Sequence, residues 1–87
     1  MAGTLHGAVL EVLRGAMEVE LYEFMDRLFR YCWNNGVVCL RWVITVENGR
    51  VKRFCTDAWR IIESLARKGV VKIKTVDNKT IIEYEGG

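Results

Sequence analysis

The sequence TDAWRIIESLARKGVVKIKTVDNKTIIEYE, at residues 56–85, determines the fold class more than any other segment. Thr56 is a good N-cap residue and Gly69 a good helix terminator, so the apolar spacing between them predicts a helix at 56–68. After Gly69 the apolar residues alternate, with a polar turn between two short runs, which predicts a β-hairpin at 70–85. A helix followed directly by a hairpin is therefore expected.

This predicted helix has an apolar face and a basic face. The apolar face consists of Ala58, Ile61, Ile62, Leu65 and Ala66. Arg60, Ser64 and Arg67 point the opposite way, because residues three and four apart share one side of a helix. The hairpin adds the lysines Lys72, Lys74 and Lys79. A basic surface that continues from a helix onto a hairpin is suited to phosphate groups, although alternating basic residues are also typical of any solvated strand.

Two more helices are predicted upstream, at about 5–14 and about 20–34. Thr4 can cap the first helix, which is expected to end at Gly15, and Asn34-Asn35-Gly36 can end the second. The apolar arc of the second helix is broad, because Tyr22, Tyr31 and Trp33 extend it beyond its periodic positions, of which Phe29 is one. The residues expected at a dimer interface are Tyr22, Phe29, Tyr31 and Trp33. So wide an arc predicts a homodimer that buries part of it.

The segment 37–54 allows two interpretations. Its β-branched residues and the pair Asn48-Gly49 favour a hairpin, because Asn-Gly is the strongest short hairpin signal. The spacing of Leu40, Val43 and Ile44 also fits a short helix that ends at Gly49. We expect the hairpin.

Length and composition indicate a small α+β domain that spans residues 1–87. The chain has 13 Lys and Arg residues against 11 Asp and Glu, with ten of the bases in residues 36–87 against six acids. Arg50, Lys52, Arg53 and Lys68 therefore join the basic residues of the predicted helix and hairpin as candidates for binding the phosphate groups of DNA. The chain contains no Pro and no Gln, which favours a thermophilic source, because thermophilic proteins contain fewer thermolabile amides.

Catalysis is not expected from this chain. The single histidine, His6, is interpreted as a surface residue, and no phosphate-binding glycine loop or metal-ligand cluster is present. We therefore expect neither an enzyme nor a cofactor or bound metal. No apolar run is long enough for a membrane span, so a cytoplasmic location is expected. Cys32, Cys39 and Cys55 are interpreted as buried free thiols, with an intersubunit or redox disulfide as the alternative.

Residues 56–85 resemble the recognition helix and wing of a winged helix-turn-helix domain, with the predicted helix at 20–34 in the place of that family's first core helix. The resemblance implies that helix 56–68 enters the DNA major groove through Arg60, Ser64 and Arg67. Lys72, Lys74 and Lys79 would then contact the backbone or minor groove. The sequence departs from the family at 37–54, where the family has a short helix.

The function expected from these residues is binding of double-stranded DNA by a homodimer that acts as a small transcriptional regulator or an architectural factor. The alternative is a protein-interaction module whose basic face is only solvated. Trp42 and Trp59 could stack on single-stranded bases, but core or interface packing is the preferred interpretation.

Overall fold

Helix α1 (Leu5–Ala16) is the first element of the computed structural model, which describes residues 3–86. Thr4 caps it as predicted, because its hydroxyl accepts a hydrogen bond from the N–H of Gly7 at 3.0 Å. The helix continues past Gly15, where it was expected to end. Met17 terminates it instead, with a φ of 65° and an N–H that donates to the carbonyl of Leu13 at 2.8 Å.

A short strand, β1 (Glu18–Glu20), connects α1 to α2 (Leu21–Asn35) and was not predicted from the sequence. The carboxylate of Glu20 caps α2 by accepting the N–H groups of Tyr22 at 2.9 Å and Glu23 at 3.3 Å. At the other end Gly36 adopts a left-handed conformation with a φ of 66°, as predicted for a helix terminator.

The segment after α2 forms a hairpin of β2 (Trp42–Glu47) and β3 (Arg50–Cys55), which confirms the preferred interpretation. Asn48 and Gly49 both have positive φ, 51° and 76°, as a two-residue type I′ turn requires. The strands occupy the second part of the predicted range, since residues 37–41 belong to neither. The alternative short helix is wrong because the turn chemistry and β-branched residues outweigh the helical spacing.

A disulfide joins Cys39 to Cys55, with their Cα atoms 6.4 Å apart. The prediction of free thiols is therefore wrong for these two residues and right for Cys32, which is buried and free. The two partners are 16 positions apart in sequence and meet because the hairpin brings the end of β3 back beside the segment that precedes β2. The disulfide therefore fastens this segment to the beginning of α3.

Helix α3 (Thr56–Arg67) follows β3 without a linker and precedes a second hairpin of β4 (Val71–Val76) and β5 (Lys79–Tyr84). Both elements were predicted. The N-cap is Cys55 and not Thr56, because its Sγ accepts the N–H of Ala58 at 3.3 Å. Strand β5 lies between β1 and β4, so that the three strands form one antiparallel sheet in the order β1-β5-β4.

The core lies between the three helices and the inner face of this sheet. Its fully buried side chains include Val9, Leu13, Phe24, Met25, Leu28, Ile62 and Ile82. Among residues 3–86 no charged side chain is buried. No helix in this part of the chain is long and apolar enough to cross a membrane.

Candidate nucleic-acid interface

The outward face of α3 carries two exposed arginines, Arg60 and Arg67, on the side opposite its buried residues. Ser64 is half-buried between them, and Lys68 is exposed at the C-cap. Glu63 is also exposed on this face, three residues after Arg60 and four before Arg67. The face of α3 that was predicted to contact DNA is therefore less basic than expected, because the prediction did not include Glu63.

The wing lysines lie among glutamates on the outer face of the three-stranded sheet. The Nζ of Lys74 is 2.7 Å from a carboxylate oxygen of Glu83 and 3.8 Å from one of Glu18. The Nζ of Lys72 is 3.8 Å from Glu85. The pair with Glu18 could not be predicted because Glu18 belongs to the unpredicted strand β1, whereas Glu83 and Glu85 lie in the predicted hairpin and were not considered as partners. Both lysines are therefore engaged within the protein, and Lys79, at the exposed turn, is the only predicted wing residue that makes no ion pair within residues 3–86.

The ion pair between Lys74 and Glu83 changes both protonation equilibria. The hydrogen bond from Lys74 lowers the pKa of Glu83, and the same bond raises the pKa of Lys74. Glu83 lies directly opposite Glu18 in the register of β1 and β5. Because like charges in opposite positions destabilise a sheet, Lys74 compensates a repulsion that would otherwise separate β1 from β5.

We expect Lys74→Gln to lower the urea midpoint of unfolding at neutral pH. A carboxyl group with a lowered folded-state pKa stabilises the fold above its unfolded-state pKa and loses that contribution as the pH falls through the folded-state value. The difference between the parent and the variant should therefore shrink as the pH falls through that acidic range. Lys79→Gln is the matched control and should leave the midpoint unchanged. An equal effect of Lys74→Gln at acidic and neutral pH would contradict this assignment.

The basic residues of β3 are also partly engaged. Lys52 pairs with Glu47 at 3.4 Å and lies over the ring of Tyr22, with its Nζ 4.8 Å from the centroid. Arg53 pairs with Asp26 at 3.5 Å and lies over the ring of Phe29 at 4.6 Å. These contacts attach β3 to α2. Arg50 is exposed at the tip of the hairpin and makes no ion pair with any residue in the range 3–86.

Residues near the tips of the two hairpins and the start of α2 line an open cleft of about 450 Å³. Three predicted DNA-binding residues line it, Arg50 and Lys52 from one hairpin and Lys79 from the other. Glu20 lines it as well, but its carboxylate is occupied by the cap of α2. The fold thus brings basic residues that are far apart in sequence to one cleft.

Three of the four predicted dimer residues, Tyr22, Phe29 and Trp33, lie along one side of α2, and Tyr31 does not. Trp33 is 80% exposed and stacks on Phe29, which in turn meets the edge of Trp42. Tyr22 lies near the other end of α2, under Lys52. Tyr31 lies on a different side of the helix and packs against the core. Trp42 and Trp59 are half-buried, and Trp59 packs against Phe54.

The sequence reasoning did not anticipate how much apolar surface the first hairpin exposes. Leu40, before β2, is 84% exposed, and Ile44 and Val46 within the strand are 62% and 69% exposed. The sequence of β2 could have revealed part of this, since both faces of the strand carry apolar residues and a two-stranded sheet cannot bury both. Residues in the range 3–86 contain no group of His, Cys, Asp and Glu that could hold a metal ion.

Comparison of the chain with protein-family models, with curated proteins and with solved structures finds no match. What the domain binds must therefore be inferred from its own side chains.

Proposed function

We propose that this chain is a winged-helix-like domain that binds double-stranded DNA as a homodimer and acts as a small transcriptional regulator or an architectural factor. The observation that carries the proposal is the arrangement of α3 and the hairpin after it. Ile62 and Leu65 bury one side of α3, and Arg60 and Arg67 extend from the other. The helix passes directly into a hairpin whose tip carries Lys79.

The charges left unpaired support this proposal. Among the residues that the structure describes, five of the candidate DNA-binding residues are exposed and take part in no ion pair. They are Arg50, Arg60, Arg67, Lys68 and Lys79. Unpaired bases are the ones that can neutralise phosphates without first breaking an internal contact.

The hairpin of β2 and β3 is the departure from the winged-helix pattern, since it stands where that family has a short helix. Its tip nevertheless adds Arg50 and Lys52 to the cleft beside the wing. We propose that it supplies backbone contacts next to those of Lys79. Phosphate contacts of this kind position a protein on the duplex without reading its sequence.

The test is a titration of fluorescently labelled random duplex DNA, followed by anisotropy over a range of salt concentrations. We expect the Arg60→Ala, Arg67→Ala double variant to weaken binding and to reduce the slope of log affinity against log salt by about 2, roughly 1 for each phosphate that the variant no longer neutralises. Both side chains are exposed, so the melting temperature should not fall.

The matched control is Arg27→Ala, which removes an exposed arginine from α2 that already pairs with Glu23 at 3.3 Å. It should leave both the affinity and the slope unchanged. The control removes one charge and the double variant two, so a control whose log affinity falls by about half as much as that of the double variant would indicate nonspecific attraction to net charge. A double variant that folds and keeps its full affinity would exclude α3 as an element that contacts the duplex.

A second candidate function is protein interaction, and the exposed apolar side chains of the first hairpin favour it. Leu40, Ile44 and Val46 form part of a surface that a soluble monomer rarely leaves uncovered. If the parent protein shows no salt-dependent affinity for duplex DNA, this candidate becomes the better one.

A further inference from the structure

We infer that the free edge of β2 pairs antiparallel with β2 of a second copy, so that two hairpins join into one four-stranded sheet. The inference deepens the homodimer part of the proposed function by assigning the surface at which two copies meet. It differs from the interface predicted from the sequence, which lay on α2.

The backbone of β2 offers hydrogen-bonding groups along its outer side. In a two-residue hairpin the residues that flank the turn, here Glu47 and Arg50, exchange both backbone hydrogen bonds, and the pairing then alternates along the strands. The N–H and C=O groups of Trp42, Ile44 and Val46 therefore point away from β3. No backbone hydrogen bond from another segment of residues 3–86 reaches them.

The side chains of β2 do not protect this edge. Proteins usually block a free strand edge with lysines, prolines or bulges. Strand β4, which is also an edge strand, carries Lys72 and Lys74. Strand β2 has the sequence WVITVE, with a charge only at its end, and Val43, Ile44 and Val46 are all exposed. An uncharged and apolar edge of this kind favours pairing with another strand.

A two-fold axis through Ile44 gives a register in which all the outward backbone groups of β2 form hydrogen bonds with the second copy. Ile44 then lies opposite the partner's Ile44, and Trp42 lies opposite the partner's Val46, so the outward groups of all three residues find partners. Arg41 lies opposite the partner's Glu47, and the symmetry repeats this pair at the other end of the strand. If the axis passes through Val43, Val46 lies opposite a residue outside the strand, and if it passes through Thr45, the same is true of Trp42. In neither case does Arg41 lie opposite the partner's Glu47.

The two charged residues are available for this contact. Arg41 is exposed and makes no ion pair within the described chain. Glu47 contacts Lys52 through Oε2, and its side chain keeps 59% of its exposure. They would form a non-hydrogen-bonded pair, in which the Cα atoms are about 4.5 Å apart and the side chains are close enough to interact. The charge complementarity selects a second copy of this chain as the occupant of the edge.

The first experiment is charge reversal followed by sedimentation velocity at micromolar concentration. The parent should be a dimer. Arg41→Glu creates two repulsive pairs in place of two attractive ones and should raise the dimer dissociation constant by about tenfold or more. The Arg41→Glu, Glu47→Arg double variant restores opposite charges in exchanged positions and should recover most of the affinity. A monomeric parent, or an Arg41→Glu variant that dimerises as tightly as the parent, would overturn the inference.

The second experiment tests the register by crosslinking under mild oxidation. In the proposed dimer the two Ile44 Cα atoms are about 5.5 Å apart, within the range that a disulfide spans. Ile44→Cys should therefore form a covalent dimer on a non-reducing gel. Thr45→Cys is the matched control, since its Cα atoms would be too far apart to bridge. Crosslinking at 45 in preference to 44 would overturn the register.

Binding to duplex DNA is measured in parallel, which separates this inference from the proposed function. A parent that is monomeric and still binds DNA in a salt-dependent manner would exclude the pairing and retain the DNA-binding proposal. A parent that dimerises with the behaviour expected of these variants, but does not bind DNA, would retain the pairing and exclude DNA binding.

Discussion

Replacing Ile62 with alanine is expected to lower the free energy of unfolding by about 2–5 kcal/mol. The deletion removes the favourable free energy of burying those methyl and methylene groups and leaves a cavity. Ile62 is fully buried on the core face of α3. The fold depends on this face, because α3 packs against α1 and leads into β4. Urea unfolding followed by tryptophan fluorescence measures the change.

The matched control is Ile61→Ala, which deletes the same atoms from the neighbouring position. Ile61 is only half-buried, so its deletion should cost clearly less than that of Ile62. Equal costs at the two positions would mean that α3 is rotated relative to its described orientation. Such a rotation would also change which arginines face outward, so the control tests the candidate site as well as the core.

Reduction of the disulfide between Cys39 and Cys55 is expected to lower the free energy of unfolding by about 3 kcal/mol, the value for a closed loop of about 15 residues. The two cysteines are separated by 16 positions. The effect arises mainly in the unfolded chain, which gains conformations once the loop is open. Urea unfolding of the oxidised and reduced protein gives the difference.

The control for reduction is the Cys39→Ser variant, which cannot form the bond and should show the same stability with and without reductant. Cys32 is not a partner of this disulfide, and burial raises the pKa of its thiol, which disfavours the reactive thiolate. A parent whose urea midpoint does not move after complete reduction would contradict the prediction.

Local sequence patterns predicted the helices and hairpins well. The segment 56–85 contains a capped amphipathic helix and two alternating runs around a polar turn, and each pattern is complete within a few residues. Asn48-Gly49 identified the first hairpin for the same reason, since turn chemistry depends only on the residues of the turn. Cap positions were less accurate, as the shift from Thr56 to Cys55 shows.

The features that local patterns missed are pairings between distant residues. Strand β1 has only three residues and is defined by its register with β5, so no periodicity indicates it. The disulfide likewise joins residues whose closeness results from the path of the hairpin. The contact of Lys74 with Glu18 depends on the same sheet. For the candidate site, Glu63 could have been found by counting along α3, and Glu83 and Glu85 by pairing the two strands of the predicted hairpin.

The position of β5 between β1 and β4 affects how the protein is made. Val19 of β1 pairs with Ile82 of β5, so β1 cannot join the sheet until β5 has left the ribosome. Until then the nascent chain holds α1 and α2 with the sheet side of their core uncovered, and long-range pairings of this kind are slow to form. We therefore expect the domain to fold in one late step, after residue 84 has been released, and not helix by helix during translation.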